Sequence, residues 1–220
     1  MTRDEVRAGI SGFGIIPAVR LSSNEEAQFA AEAVSSAGIP IVEVTMTVPN
    51  ALDVISELAR HRPGMIVGAG TVLDLDTARH CLDAGAKFLT SPGLDLQVAE
   101  FGVKHNVVTI PGALTPSEVL AAWKTGADFV KVFPCAPMGG PGYIHTLKSP
   151  LPQIPLIAAG GVNQQTAGDF ILAGASALGI GAALIHAQAI EHRDRDRIRE
   201  LARRFLHIIG EARKLLQPAA

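Results

Sequence analysis

Short apolar segments alternate with longer amphipathic segments along nearly the whole chain. The apolar segments have the length of buried strands, and the amphipathic segments repeat their apolar residues at helical spacing. The predicted strands are Ile15–Val19, Ile41–Thr45, Met65–Ala69, Lys87–Thr90, Val107–Ile110, Phe129–Val132, Leu156–Ala158 and Ala177–Ile180. The predicted helices are Arg3–Ile10, Asn24–Ala37, Ala51–Arg60, Asp76–Ala84, Leu96–His105, Pro116–Thr125, Tyr143–Lys148, Gln164–Ala173 and Asp194–Leu216.

A similar phrase joins a helix to the next strand at four places. The phrases are SSAGIP (35–40), DAGAKF (83–88), KTGADF (124–129) and LAGASAL (172–178). Glycine suits the left-handed conformation in which many helices end, so each phrase predicts a helix end followed by a strand. A unit that recurs at intervals of about 40–50 residues favours a barrel over other arrangements.

Eight strands alternating with eight helices, after a short N-terminal helix, predict a TIM (β/α)₈ barrel. The barrel is expected to occupy residues 1–220 as a single domain. An open doubly wound α/β sheet is the structural alternative, because alternation by itself fits both folds. No GxGxxG sequence follows the first predicted strand, and no long charged linker divides the chain.

Composition excludes several classes of function. Hydrophobic residues make up 48% of the 220 residues and charged residues 18%, which supports a substantial core. The net charge of -2 gives no basic field for nucleic acid, and no apolar run reaches the roughly 18 residues of a membrane span. Two cysteines make no disulfide framework, and the polar start is not a secretory signal. We therefore expect a cytoplasmic protein without nucleic-acid or membrane partners.

One lysine interrupts the apolar strand in GADFVKVFP (126–134). Burial disfavours the ammonium form of a lysine, and an uncharged amine can attack a carbonyl to form a Schiff base. The alternative is that Lys131 reaches solvent from the end of a short strand and buries only its stem. Lys87 is the rival lysine, but it begins its strand and is expected at the solvated rim.

One carboxylate, Glu43, interrupts the apolar strand in IVEVT (41–45). A carboxylate in such a strand needs a partner. It can form a structural ion pair with Lys131 or Arg20. It can also act as the acid/base that moves protons through carbinolamine, imine and enamine. The second interpretation is favoured, because barrel active sites are built from the carboxyl ends of the strands.

Glycines follow the last two predicted strands, where barrel enzymes commonly bind phosphate. They are Gly160, Gly161 and Gly179–Gly181. Their backbone N–H groups can contact an anion, or the glycines only permit tight turns. The seven histidines have no metal-ligand spacing at a strand end, so a metal-dependent aldolase is disfavoured.

Several phrases in order, from about residue 12 to 190, resemble one enzyme family. They are IIPAVR (15–20), VEVTMTVPNA (42–51), VGAGTVLD (67–74), AGAKFLTSPGLD (84–95), IPGALTPSEV (110–119), GADFVKVFP (126–134), GGPGYIHTLKSPLPQIPLIAAGG (139–161) and LGIGAAL (178–184). The family is that of the class I aldolases that cleave 2-keto-3-deoxy-6-phosphogluconate (KDPG) and 4-hydroxy-2-oxoglutarate (KHG). The resemblance implies a homotrimeric TIM barrel, a lyase of carbohydrate metabolism that needs no metal or organic cofactor.

The resemblance also implies roles for individual residues. It places the Schiff-base lysine at Lys131 and the acid/base at Glu43. Thr71 of GAGT is implied to bind the pyruvate carboxylate together with Arg20, which faces the site in related enzymes. The predicted binding residues, including pocket-lining ones, are Arg20, Thr71, Pro92, Phe133, Gly160, Gly161 and Gly181.

Three positions depart from the family pattern. Thr47 stands where the family phrase EVTLRTP has an arginine, Ala159 where a threonine is frequent, and Ala183 where a serine is frequent. Each departure removes a side-chain donor from the expected anion site. A 2-keto acid without phosphate therefore becomes a substrate alternative.

These observations favour a class I aldolase that cleaves a 2-keto-3-deoxy acid or a 4-hydroxy-2-oxo acid to pyruvate and an aldehyde. One alternative is a phosphate-binding barrel isomerase or epimerase, with Glu43 as the base and Lys131 as an electrostatic clamp. The other is a non-catalytic ligand-binding barrel. The retained pair of opposite charges argues against the latter.

Overall fold

The computed structural model describes residues 1–217, so residues 218–220 of the predicted domain lie outside the described residues. The strands are β1 Ile15–Val19, β2 Ile41–Thr45, β3 Ile66–Gly70, β4 Phe88–Thr90, β5 Val108–Ile110, β6 Gly112–Ala113, β7 Val130–Val132, β8 Leu156–Ala159 and β9 Ala175–Ile180. The α-helices are α1 Arg3–Phe13, α2 Asn24–Ser36, α3 Ala51–His61, α4 Leu75–Asp83, α5 Leu96–Lys104, α6 Pro116–Lys124, α7 Pro141–Lys148, α8 Ala167–Leu172, α9 Ala187–Glu191 and α10 Arg195–Leu215. A short 3₁₀ helix covers Ala136–Met138.

The parallel sheet closes at Pro111. The strand order β5-β4-β3-β2-β1-β9-β8-β7-β6 puts β5 and β6 at opposite edges, although they are consecutive in the chain. Pro111 lies between them and has no N–H to donate, but its carbonyl accepts a hydrogen bond from the Lys131 N–H at 2.9 Å. The predicted fifth strand is therefore bent into two pieces that pair with both edges, and the predicted barrel is confirmed.

Local sequence signals set most helix boundaries. The side chains of Ser23, Asp74, Asp95 and Thr115 each accept a hydrogen bond from a backbone N–H three residues later, which starts a helix. The glycines of the four recurring phrases all have positive φ, between 87° and 102°, as predicted for helix ends.

Three helical regions differ from the prediction, the first being α1, which continues to Phe13 instead of ending at Ile10. The predicted helix Gln164–Ala173 begins only at Ala167, because the Asn163 side-chain oxygen accepts hydrogen bonds from the N–H groups of Gln165 and Thr166 and holds a turn there. Helix α9 was not predicted, because five residues are too few to show a helical period.

Helix α1 is tied to the strand that carries Lys131. Its residues Val6 and Ile10 are buried, and the Arg3 guanidinium donates to both carboxylate oxygens of Asp128 at 3.0 and 3.1 Å. The Asp128 side chain is only 4% exposed and also accepts a hydrogen bond from the Thr109 N–H. Asp128 lies two residues before β7, so this ion pair helps to fix the amino-terminal end of that strand.

Charges of opposite sign alternate along the surface of α10. Ion pairs three residues apart link Arg197 to Glu200 and Arg199 to Asp196, on side chains that are partly or largely exposed. In the part of the chain that the structure describes, no helix combines the length and apolar character needed to cross a bilayer.

We predict that Arg3→Ala lowers the free energy of unfolding by about 2–3 kcal/mol, because the Asp128 carboxylate stays buried after losing its guanidinium. Urea denaturation followed by circular dichroism measures the change. The control is Arg79→Ala, which removes an exposed ion pair with Asp76 and should cost less than about 1 kcal/mol. Equal losses in the two variants would contradict the structural role of the Arg3–Asp128 pair.

Candidate active site

The barrel interior holds one close pair of opposite charges. The Lys131 Nζ atom lies 3.9 Å from the Glu43 Oε2 atom, and the two side chains are 14% and 6% exposed. The Lys131 side chain is therefore directed at Glu43 rather than extended into solvent, and in the described structure Glu43 pairs with Lys131 and not with Arg20. Lys87, the rival lysine, is exposed. The structure brings the two predicted catalytic residues together.

The neighbouring strand makes room for the Glu43 carboxylate. A Cβ atom at Gly70 would lie 1.9 Å from Glu43 Oε1, far inside any real contact. Gly70 belongs to β3, which pairs in parallel with the Glu43 strand β2. Only glycine at this position permits the observed position of the carboxylate.

Phe133 covers the lysine from the side of the barrel mouth. The centroid of its ring lies 5.7 Å from Lys131 Nζ, within the range of a cation–π contact. The peptide bond between Phe133 and Pro134 is cis. Cys135 is fully buried, and desolvation raises the pKa of its thiol to about 11, so it packs in the core rather than acting as a thiolate.

A cavity of about 610 Å³ opens beside Phe133, at the carboxyl ends of β1, β8 and β9. We call it the inner cavity. Five of the predicted binding residues line it: Arg20, Phe133, Gly160, Gly161 and Gly181. Lys131 and Glu43 do not line it, but Phe133, whose ring lies beside the Lys131 amine, does. The polar pair therefore lies at one side of this cavity.

The glycines of the inner cavity are not equivalent. Gly160 and Gly161 have φ of 85° and 90°, and an added Cβ would press on Phe133 or Ala136. Both are therefore required by the turn itself. Gly181 has ordinary φ, and an added Cβ would meet only the Ala18 carbonyl at 3.7 Å. The turn interpretation thus accounts for the first two glycines but not for Gly181.

Thr71 and Pro92 lie outside the inner cavity. Thr71 follows β3 with φ of 58°, a left-handed conformation that is a genuine outlier for a β-branched residue. Such strain costs about 1–3 kcal/mol and clusters at functional sites. The backbone of Pro92 packs against Gly112, the strand partner of Lys131. The structure does not bring Thr71 and Arg20 together around the inner cavity.

The three departures from the family pattern lie at the mouth of the barrel. The exposed Thr47 shares a hydrogen bond with the buried Thr45, with 2.7 Å between their hydroxyl oxygens. Ala159 is buried beside Gly179, and Ala183 lines the inner cavity. The inner cavity therefore has no side-chain donor at position 183, and the buried Ala159 does not line it.

A family model described as KDPG and KHG aldolase matches residues 7–201. The chain belongs to the KDPG and KHG aldolase family. The predictions of the family and of the lyase class are therefore confirmed. The match spans the strands that carry Glu43 and Lys131, so both lie within the part of the chain that defines the family.

Individual relatives of this aldolase agree with the family model. The KHG/KDPG aldolase of Escherichia coli K12 is 34% identical over 190 residues, which are 86% of this chain and 89% of that protein. The 2-dehydro-3-deoxy-phosphogluconate aldolase of Pseudomonas aeruginosa is 29% identical and covers 91% of each chain. The KDPG aldolase of Legionella pneumophila, solved with pyruvate captured as a covalent carbinolamine, matches with a TM-score of 0.84 at 28% identity. That match covers 90% of this aldolase and 96% of the Legionella chain.

Sequence reasoning missed several residues of the aldolase site. Gly70 was not singled out, although a small residue beside a buried glutamate on the next strand is a signal that strand pairing can reveal. Asn163, in the loop after β8, and Ala187, at the start of α9, also line the inner cavity, and their positions depend on the fold. Within residues 1–217, no three histidine, cysteine, aspartate or glutamate side chains are grouped as metal ligands.

We predict that Gly70→Ala lowers kcat for pyruvate release from KDPG or KHG by on the order of 100-fold, because the new methyl group displaces the Glu43 carboxylate. Steady-state assays of pyruvate release measure the effect. Gly12→Ala is the matched control, since a Cβ there meets nothing within 4 Å. Unchanged turnover in a folded Gly70→Ala variant would contradict a role for the carboxylate position.

Proposed function

We propose that this single-domain aldolase uses Lys131 as a Schiff-base nucleophile and Glu43 as the acid/base. It would cleave a 2-keto-3-deoxy acid or a 4-hydroxy-2-oxo acid to pyruvate and an aldehyde. The observation that carries the proposal is the 3.9 Å separation of a largely buried amine and a buried carboxylate in the barrel interior. An amine and an acid this close can act on neighbouring atoms of one substrate.

The proposed cleavage of the C3–C4 bond follows from the positions of the Lys131 amine and the Glu43 carboxylate. Lys131 Nζ adds to the C2 carbonyl, and the carbinolamine loses water to give an iminium ion. Glu43 removes the proton of the C4 hydroxyl, directly or through a water molecule. The C3–C4 bond breaks, its electron pair moves to the iminium nitrogen, and the aldehyde leaves. The resulting enamine is protonated at C3, and hydrolysis releases pyruvate and restores the amine.

Other residues would orient the substrate around this pair. Thr71 supplies a hydroxyl for the pyruvate carboxylate, and Pro92 and Phe133 border the reacting carbons. Arg20 and the glycines of the inner cavity face the leaving half rather than the carboxylate, because Arg20 lines a cavity that excludes Thr71. This assignment differs from the expectation that Thr71 and Arg20 share the carboxylate, and that expectation stays a prediction.

Assembly and location complete the proposal. The family resemblance supports a homotrimer that works without a metal or organic cofactor. A cytoplasmic location is supported by two cysteines that are both free and buried.

We predict that borohydride reduction in the presence of pyruvate adds one reduced pyruvate to Lys131. Peptide mass spectrometry locates the adduct, and Lys131→Met should abolish both the adduct and pyruvate release. Lys87→Met, which changes an exposed lysine, is the control and should keep both. An adduct on another lysine, or none, would refute this mechanism.

We predict that Glu43→Gln lowers kcat by about 10²–10⁴-fold, because the amide cannot exchange the proton that the carboxylate moves. The variant keeps the size of the side chain, so the fold should persist, as thermal unfolding can verify. Single-turnover measurements of pyruvate release test the loss. A kcat within about threefold of the wild type would exclude Glu43 as the acid/base.

A further inference from the structure

The mouth of the barrel contains a second cavity that adjoins the inner one. This outer cavity has a volume of about 760 Å³. Arg20, Leu21 and Ala187 line both cavities. The two spaces therefore meet along a common border at the first strand end and the start of α9. A ligand bound beside Phe133 can therefore extend past Arg20 directly into the outer cavity.

The two cavities differ in chemistry. The inner cavity carries Arg20 as its charged side chain and Asn163 as its amide, among glycines and apolar residues. The Asn163 side-chain oxygen is already used by the N–H groups of Gln165 and Thr166. A terminal phosphate placed there would have one guanidinium and backbone N–H groups to contact.

The outer cavity offers polar side chains of both signs. It is lined by Arg20, Thr47, Glu191 and Arg193, among others. In the part of the chain that the structure describes, neither Arg20 nor Glu191 forms an ion pair. The Arg193 guanidinium, by contrast, pairs with Glu25 at 3.5 Å and lies 5.3 Å from the centroid of the Phe29 ring. The carboxylate of Glu191 and the guanidinium of Arg20 together suit a ligand that both donates and accepts hydrogen bonds, as hydroxyl groups do.

We propose that the aldehyde half of the substrate is a polyhydroxylated chain that extends past Arg20 into the outer cavity, rather than a short aldehyde ending in phosphate. The inference rests on the proposed aldolase function and specifies its substrate class. The aldol bond still forms and breaks between C3 and C4 at Lys131. The hydroxyl groups beyond C5 contact Arg20, Thr47 and Glu191.

The test is condensation of pyruvate with three aldehydes: glyoxylate, glyceraldehyde 3-phosphate and the four-carbon aldose erythrose. The expected result is a kcat/KM for erythrose at least equal to that for glyceraldehyde 3-phosphate. A lower value for erythrose overturns the proposal.

Two variants test the path through the outer cavity. Ala187→Phe narrows the common border, and Glu191→Ala removes the free carboxylate; both residues are exposed, so folding should persist. Each variant should lower the acceptor ratio, which is kcat/KM for erythrose divided by kcat/KM for glyoxylate. For Ala187→Phe the expected decrease is about tenfold or more, equivalent to ~1.4 kcal/mol. Ala8→Phe, at an exposed site on α1, is the control and should leave the ratio unchanged. A ratio that changes no more than in the control overturns the proposal.

Failure of the proposal and failure of the aldolase function give different results. If pyruvate is trapped on Lys131 and glyoxylate condenses while erythrose is rejected, only the extended acceptor is wrong. If no adduct forms on Lys131, the proposed mechanism fails, and the acceptor proposal fails with it.

Discussion

The buried contact between Lys131 and Glu43 is the constraint on which the rest of the site depends. A lone charge in the barrel interior would be costly, and the two opposite charges compensate each other at 3.9 Å. Such a pair adds little net stability, since apolar residues of similar volume often serve the fold as well. Stability therefore does not explain why two charges occupy the core of the barrel. The roles that we propose for the two residues, nucleophile and proton carrier, account for it.

The barrel interior accommodates Lys131 and Glu43 because neighbouring strands carry glycine, which has no side chain. Small barrels are filled by their own side chains, so each large residue needs a small one beside it. Gly70 leaves space for the Glu43 carboxylate, and Gly68 leaves space for the ring of Phe88. The carboxylate is thus held by packing as well as by charge. A group held in this way needs little reorganisation during the reaction.

The inner and outer cavities at the barrel mouth differ in construction from the Lys131–Glu43 pair in the barrel interior. Loops after the strands form their linings, and loops vary more readily than the barrel that positions them. Thr47 and Ala183 follow their strands and Ala159 is the last residue of β8, whereas Lys131 and Glu43 lie in the middle of theirs. A change in the leaving half of the substrate can therefore arise without a change in the bond-breaking chemistry.

The sequence by itself determined the alternation of strands and helices, because this alternation depends on local periodicity. It also determined the helix ends at glycine, which follow from local backbone preference, and the family, which follows from continuous phrases. It also identified Lys131 and Glu43, since a charged residue in an apolar strand is visible without coordinates. Only the tertiary structure decided that Pro111 bends one strand to close the barrel, that Gly70 makes room for Glu43, and that Arg20 borders two cavities. These features depend on pairing between segments that are distant in the sequence. The residues of one segment do not show which distant segment it will contact.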